Sequence, residues 1–330
     1  MSQWKSYVLA SFCAIAAGQA RAQAPQFAVL NIEFENAVTY IDDIGDPNKF
    51  ASSPVPLTLG PTKSFTPFVV IGDIASVNGI AVKGTFVDRG RGVFLMATPN
   101  PGQAIGDFLR GGAVDIYLEI RRTDLTAVGT IMTSGFTGGA APPGSPVGAA
   151  LNLAVTGGTG AYLGAKGMVI SSDLSFRNAS IQEDPSKRRI NGGNRGHFVV
   201  YLIPLAWPQI VTIANGPAVV HSSDGSLVTA AKPAKSGEVL TLYATGLGPT
   251  VPALAPGAVF SASPLQTVNS PIDITVGGQA ADVLYAGGYP GSTDGFQVNF
   301  RVPSGITAGT KTLQIAAAFI SSPEVNIAIQ

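Results

Sequence analysis

Residues 154–167, AVTGGTGAYLGAKG, constrain this chain more than any other stretch. Five glycines fall among them, between two strand-like runs at 150–155 and 168–172. Glycine is needed where φ is positive or where another backbone comes close. A corner this rich in glycine suits a closed or strongly coiled antiparallel sheet better than an open one. Composition agrees: the 330 residues include 40 Gly and 24 Pro, 45% are hydrophobic and only 12% are charged. That is ample apolar material for a core, and too much Gly, Pro, Thr and Val for a mainly helical protein. The expected class is all-β.

The N-terminus reads as a secretory leader. Lys5 supplies the positive start, and residues 7–18 form an apolar run too short to span a bilayer comfortably. Ala20 and Ala22 supply the small residues before a cut after Ala22, so residues 1–22 are the expected signal peptide. Cys13, the one cysteine, lies inside that leader. Export without disulfides points to a bacterial protein, periplasmic or released. No later run is long and apolar enough for a membrane helix. The formal net charge is zero and no basic face emerges, which argues against nucleic acid as a partner.

Two regions follow the leader. Residues 23–206 hold most of the charge, whereas residues 207–330 have only four basic residues, Lys232, Lys235, Arg301 and Lys311. The expected junction is Ile203-Pro204-Leu205-Ala206-Trp207-Pro208, an apolar bridge stiffened by two prolines. In the first region, strand-like runs at 27–34, 65–71, 80–87, 93–97, 113–121, 127–133, 150–155, 168–176 and 197–203 alternate with turn signals. Gly72-Asp73 and Asp88-Arg89-Gly90 are read as two of those turns. Residues 102–109 have room for a turn or two of helix, and 135–148 read as a surface loop. Eight or nine strands leave exposed edges unless the sheet closes, so a barrel is expected. The second region shows seven short runs, at 218–221, 238–245, 272–276, 280–286, 296–302, 311–318 and 325–329, which fit an immunoglobulin-like sandwich.

Both regions carry a family resemblance. The segments PAKSGE at 233–238, LTLYATGLGPT at 240–250, VGGQAA at 276–281, LYAG at 284–287, FQVNFRVP at 296–303 and IAIQ at 327–330 stand in order. Together they resemble the uncharacterised C-terminal domain shared by many secreted proteins of Solibacter-type acidobacteria. That resemblance implies an immunoglobulin-like attachment module and brings no catalytic residue. The motif LAVTGGTGAYLGAKG at 153–167 is similar to the glycine corner of dirigent and allene-oxide-cyclase-like barrels. It implies eight strands, an apolar ligand in the lumen, a homo-oligomer, and a chemistry of cyclisation or guided coupling helped by lumenal acids.

The residues themselves offer little chemistry. His197, at a strand end, and His221, in a loop, are the only histidines, and neither has a partner at zinc-ligand spacing. No G-x-S-x-G elbow occurs, and Lys166 is followed by Gly167 where a phosphate loop needs Ser or Thr. Neither a metal nor a cofactor is expected. Asp42, Asp43 and Asp46 around Gly45 read as a solvated turn before a hard-cation site. Lys187, Arg188, Arg189 and Arg195, beside Glu183 and Asp184, read as a solvated loop. Asn178-Ala179-Ser180 matches a glycosylation acceptor by chance in a bacterial protein. The one constellation of interest is Asp115, Tyr117, Glu119 and Arg121, which share a strand face opposite Val114, Ile116, Leu118 and Ile120. The aliphatic face belongs in a core, so the polar face is expected outside. Turned inward, its carboxyls would be candidates for proton transfer.

The expected function is that of a secreted bacterial protein without catalytic activity, which binds a small apolar ligand or a cell-surface partner. The alternative is an isomerase or cyclase acting on an apolar substrate in the lumen. An open lumen with a carboxyl inside favours the alternative, and a filled lumen disfavours it.

Overall fold

A computed structural model describes residues 27–41, 67–94, 110–137, 151–171, 176–255 and 257–330. The fold is almost wholly β. The first unit contains β1 (Ala28–Ile41), β2 (Pro67–Val77), β3 (Ile80–Ala81), β4 (Lys83–Phe94), β5 (Arg110–Arg121), β6 (Ala127–Thr137), β7 (Leu151–Gly160), β8 (Lys166–Ser171), β9 (Arg177–Ser180) and β10 (Asn194–Ile203). The strands β1, β2, β4, β5, β6, β7, β8 and β10 pair antiparallel in that circular order, and β1 closes the ring by pairing with both β10 and β2. This is an eight-stranded barrel with no free edge in the ring. Beyond a bulge between Phe34 and Ala37, the outer end of β1 pairs instead with the parallel β9.

The strands exist because their sequence alternates. On β5, Val114, Ile116, Leu118 and Ile120 fill the lumen while Asp115, Tyr117 and Glu119 face out, as expected. The expected turns at Gly72-Asp73 and Asp88-Arg89-Gly90 are not turns. They lie inside β2 and β4, which run unbroken through them. Both glycines face the lumen, where a side chain would not fit. A Cβ on Gly72 would strike the ring of Phe86, and one on Gly90 would come within 2.6 Å of Val114 and 3.0 Å of Phe68. They are glycines because the barrel interior is crowded, and a linear reading takes them for punctuation. The expected helical turn at 102–109 and most of the expected loop at 135–148 lie outside the described residues.

The glycine-rich corner extends β7 to Gly160 and turns through residues 161–164 into β8. Gly160 and Gly164 have φ of +61° and +71°, and Gly167 has +142°. The turn folds Tyr162 inward until it is fully buried.

The second unit contains β11 (Gln209–Ile210), β12 (Thr212–Ile213), β13 (Gly216–Pro217), β14 (Val219–His221), β15 (Val239–Thr245), β16 (Thr250–Val251), β17 (Thr267–Val268), β18 (Ile272–Val276), β19 (Gln279–Gly288), β20 (Phe296–Arg301), β21 (Gly309–Ala317), β22 (Ile320–Ser321) and β23 (Val325–Ile329). Its main sheet runs β15-β20-β19-β18-β21, with β14 on β15 and β23 on β21. Ala234 bridges to Ile329, so the sheet is nearly closed around a core that includes Leu240, Leu242, Val298, Phe300, Leu313 and Ile315. Among the described residues that core is separate from the barrel's.

The barrel's two ends differ. The turns at 78–79, 122–126 and 161–165 lie at one end, with the start of β1 and the finish of β10. The strand ends that flank 42–66, 95–109, 138–150 and 172–175 all lie at the other. The second unit covers the first of these ends. Ala318, Phe319 and Ile320, from the β21–β22 hairpin, belong to the barrel's hydrophobic cluster, and half-buried Trp207 packs against that cluster too. The junction is therefore part of a packed interface and not only a stiff bridge.

Candidate functional site

Among the described residues, Asp88 is the buried carboxyl inside the barrel. On β4 it shares the lumenal face with Phe86 and Gly90, two residues away on either side. Val70 on β2 and Ile116 on β5 stand directly opposite it, and Thr133 on β6 lies one strand further round. The Thr133 hydroxyl donates to the Ile116 carbonyl, so it is occupied. Asp88 is 6% exposed, and its Oδ1 has no hydrogen-bond partner among the described residues. Burial pushes its carboxyl up to about 7, helped by the nearby charge of Asp115. A carboxyl in such surroundings sheds its proton reluctantly, because the charged form loses its hydration.

From Asp88 down to the capped end, the described lumen is filled. The Phe34 ring lies 4.8 Å from that of Phe86, edge-on, and 4.8 Å from that of Phe198, tilted, and Phe176 lies 5.9 Å from Phe34. Leu30, Ile32, Leu118, Ile120 and Ile131 complete the packing. Phe176 is the half-buried member of the aromatic group and sits where the chain returns from residues 172–175. Above Asp88, toward the end away from the second unit, Val114, Leu153 and Leu151 are buried as well and belong to the same cluster.

Other expected positions fall out as follows. Asp115 and Glu119 are on the outer wall, where Glu119 pairs with Arg121 and Asp115 lies 3.7 Å from Arg89. Arg89 also sits over the Tyr117 ring at 5.5 Å. His197 is exposed on β10, opposite Glu33, and lines an outer groove of about 470 Å³ with Glu33, Glu35 and Arg195. Asp42, Asp43 and Asp46, like the expected leader at 1–22, lie outside the described residues. Among the described residues no group of three or more His, Cys, Asp or Glu is placed to hold a metal ion, and no helix is long and apolar enough to cross a membrane.

Two expectations need correction. His221 is not in a loop: it ends β14 and is 4% exposed. Its Nδ1 lies 2.6 Å from Glu238 Oε1 and its Nε2 lies 3.2 Å from the Lys232 carbonyl. Burial pushes the Glu238 carboxyl up, but hydrogen bonds from His221 and the Lys235 amide outweigh this and hold it below the usual range. The basic run at 187–189 is not simply solvated either. Arg188, 8% exposed at the start of α1 (Arg188–Asn191), pairs with Asp73 on the barrel's outer wall, and Arg189 pairs with the same carboxylate at 2.7 Å. Asn36 donates to Asp73 as well. Asp73→Ala strands a buried guanidinium, so a loss of about 3 kcal/mol is expected in chemical denaturation. A loss below about 0.5 kcal/mol would mean that the pair behaves as an ordinary surface bridge.

Asp88 escaped notice because Asp-Arg-Gly is a common turn triplet. The signal available was parity: Phe86, Asp88 and Gly90 continue the alternation of Val82 and Gly84 without a break.

No family model matches this chain, and no curated protein matches it. A solved structure named pyocyanin demethylase is similar at 16% identity, covering 53% of this chain and 98% of that one, with a TM-score of 0.26, too low to support an argument about fold or function.

Proposed function

We propose that this is an exported bacterial binding protein whose barrel takes a small, mostly apolar molecule at the end away from the second unit, with Asp88 making the one polar contact. The observation that carries this reading is the unpartnered oxygen of Asp88, buried among aliphatic and phenyl side chains. Burying a carboxyl without a partner costs several kcal/mol. Groups kept at such a cost are concentrated at binding and catalytic sites. A protonated Asp88 donates to a carbonyl or hydroxyl oxygen, while the apolar wall accepts the rest of the molecule. Export follows from the leader at 1–22.

One observation favours the alternative of an isomerase or cyclase. A carboxyl pushed to about 7 can give and take a proton near neutrality, as a general acid or base must. Against it, the barrel's buried cluster runs both below Asp88, through Phe86 and Leu118, and above it, through Val114, Leu153 and Leu151.

Native mass spectrometry of the protein purified from its own host tests the binding reading. A small molecule should travel with the wild type and be lost from Asp88→Leu, which removes the polar group altogether. The same molecule retained by both, or carried by neither, would remove Asp88 from the reading.

A further inference from the structure

We propose that the β21–β22 hairpin is the end cap of the barrel, an integral part of its fold, and that the two units are not separable modules. Val77, Val82, Val128, Tyr162 and Ala165 lie at the covered end of the barrel, and all are buried although the barrel strands stop there. What buries them includes Ala318 and Phe319, 2% and 5% exposed, which cluster with the barrel's core and not with that of their own unit. Polar contacts fix the arrangement. The Tyr162 hydroxyl donates to the Ala318 carbonyl at 3.4 Å, Asn78 Nδ2 to the Phe319 carbonyl at 3.4 Å, and Asn269 Nδ2 to the Ala127 carbonyl at 2.6 Å.

The backbone gives an independent argument. Ala317 pairs with Ile320, which leaves Ala318 and Phe319 as a two-residue turn with φ of +49° and +68°. Such turns favour Asn-Gly, and Asn78-Gly79 on the barrel side has that pair at φ +51° and +78°. Alanine and phenylalanine are poor choices for left-handed backbone. Strained positions persist where the surroundings over-determine them. Here the surroundings are the barrel's end. The sequence has given up turn preference to place an aromatic ring and two carbonyls against Asn78 and Tyr162.

Hydrogen exchange by mass spectrometry on the full chain tests the cap. In Phe319→Asp, amides at 77–82, 127–130 and 161–165 should exchange about tenfold faster or more than in the wild type, although none of them is in the mutated unit. If Phe319→Asp does not fold, Phe319→Ala carries the same comparison with a smaller increase, since it removes the ring without adding a charge. Unchanged exchange at those barrel amides in Phe319→Ala, with changes confined to 309–322, would overturn the proposal. Ala318→Gly, which frees the backbone and keeps the ring, should raise the melting temperature; a fall would overturn the claim that the seated turn is strained.

Discussion

Asp88→Leu is expected to make the protein more stable and, on the proposed function, to lose the bound small molecule. The first half follows from the carboxyl's surroundings. Its raised pKa, about 7 in place of 3.8, corresponds to a penalty of about 4 kcal/mol once the group is ionised. Leucine removes that penalty but adds bulk to a crowded interior, which returns some 1–3 kcal/mol, so a net gain of about 1–3 kcal/mol is expected near pH 8. The pH dependence is the sharper test. Because the folded value is the higher one, Asp88 supports the fold most below about pH 4. Its support declines as pH rises and has gone above pH 7 or so. Stability of the wild type relative to Asp88→Leu should therefore fall between pH 4 and pH 7, measured by paired thermal melts. Curves that stay parallel across that window would mean that Asp88 is solvated and not held in an apolar lumen.

The second large effect is expected within a single motif. Gly167→Ala should abolish the folded barrel, while Gly157→Ala, ten residues earlier, should be tolerated. Gly167 lies in β8 on the seam with β10, at φ +142°, and an added Cβ would run into the Tyr201 carbonyl. Neither partner can move without opening the ring, so backbone strain and collision together should cost more than about 3 kcal/mol. At Gly157 a Cβ has nothing within 4 Å, and φ is not in the left-handed range; a change within about 0.5 kcal/mol is expected there. Soluble yield and circular dichroism melts of the pair decide the matter. Equal behaviour of the two variants would contradict the close β8–β10 approach.

The same residues show how far the sequence could be read. The all-β class was legible because alternation on β5 and the glycine-rich corner are local signals, and local geometry produces them. The strand breaks at Gly72 and at Asp88-Arg89-Gly90 were misread because the reason for those glycines lies on the neighbouring strands, in Phe86, Phe68 and Val114. Asp88 went with them, since a carboxyl beside a glycine looks like a turn until the alternation is followed through it. Arg188 was misread for a similar reason: its partner, Asp73, is more than a hundred positions away in the chain. His221 was placed in a loop, although Glu238, which holds it, is only 17 residues on; the pairing of β14 with β15 brings them together. Among the described residues the lumen is packed on both sides of the acid, by Phe86 and Leu118 below and by Val114, Leu153 and Leu151 above.

The unequal ends of the barrel set where this chain can tolerate added sequence. A peptide spliced between β6 and β7 enters on the side away from the hairpin of the second unit and leaves the seal untouched. The same peptide spliced between β7 and β8 has to prise Tyr162 from Ala318 before it finds any room. Tags, fusions and reporter loops therefore belong on the first side, and a library that randomises loop length for new binding specificities should be built there alone.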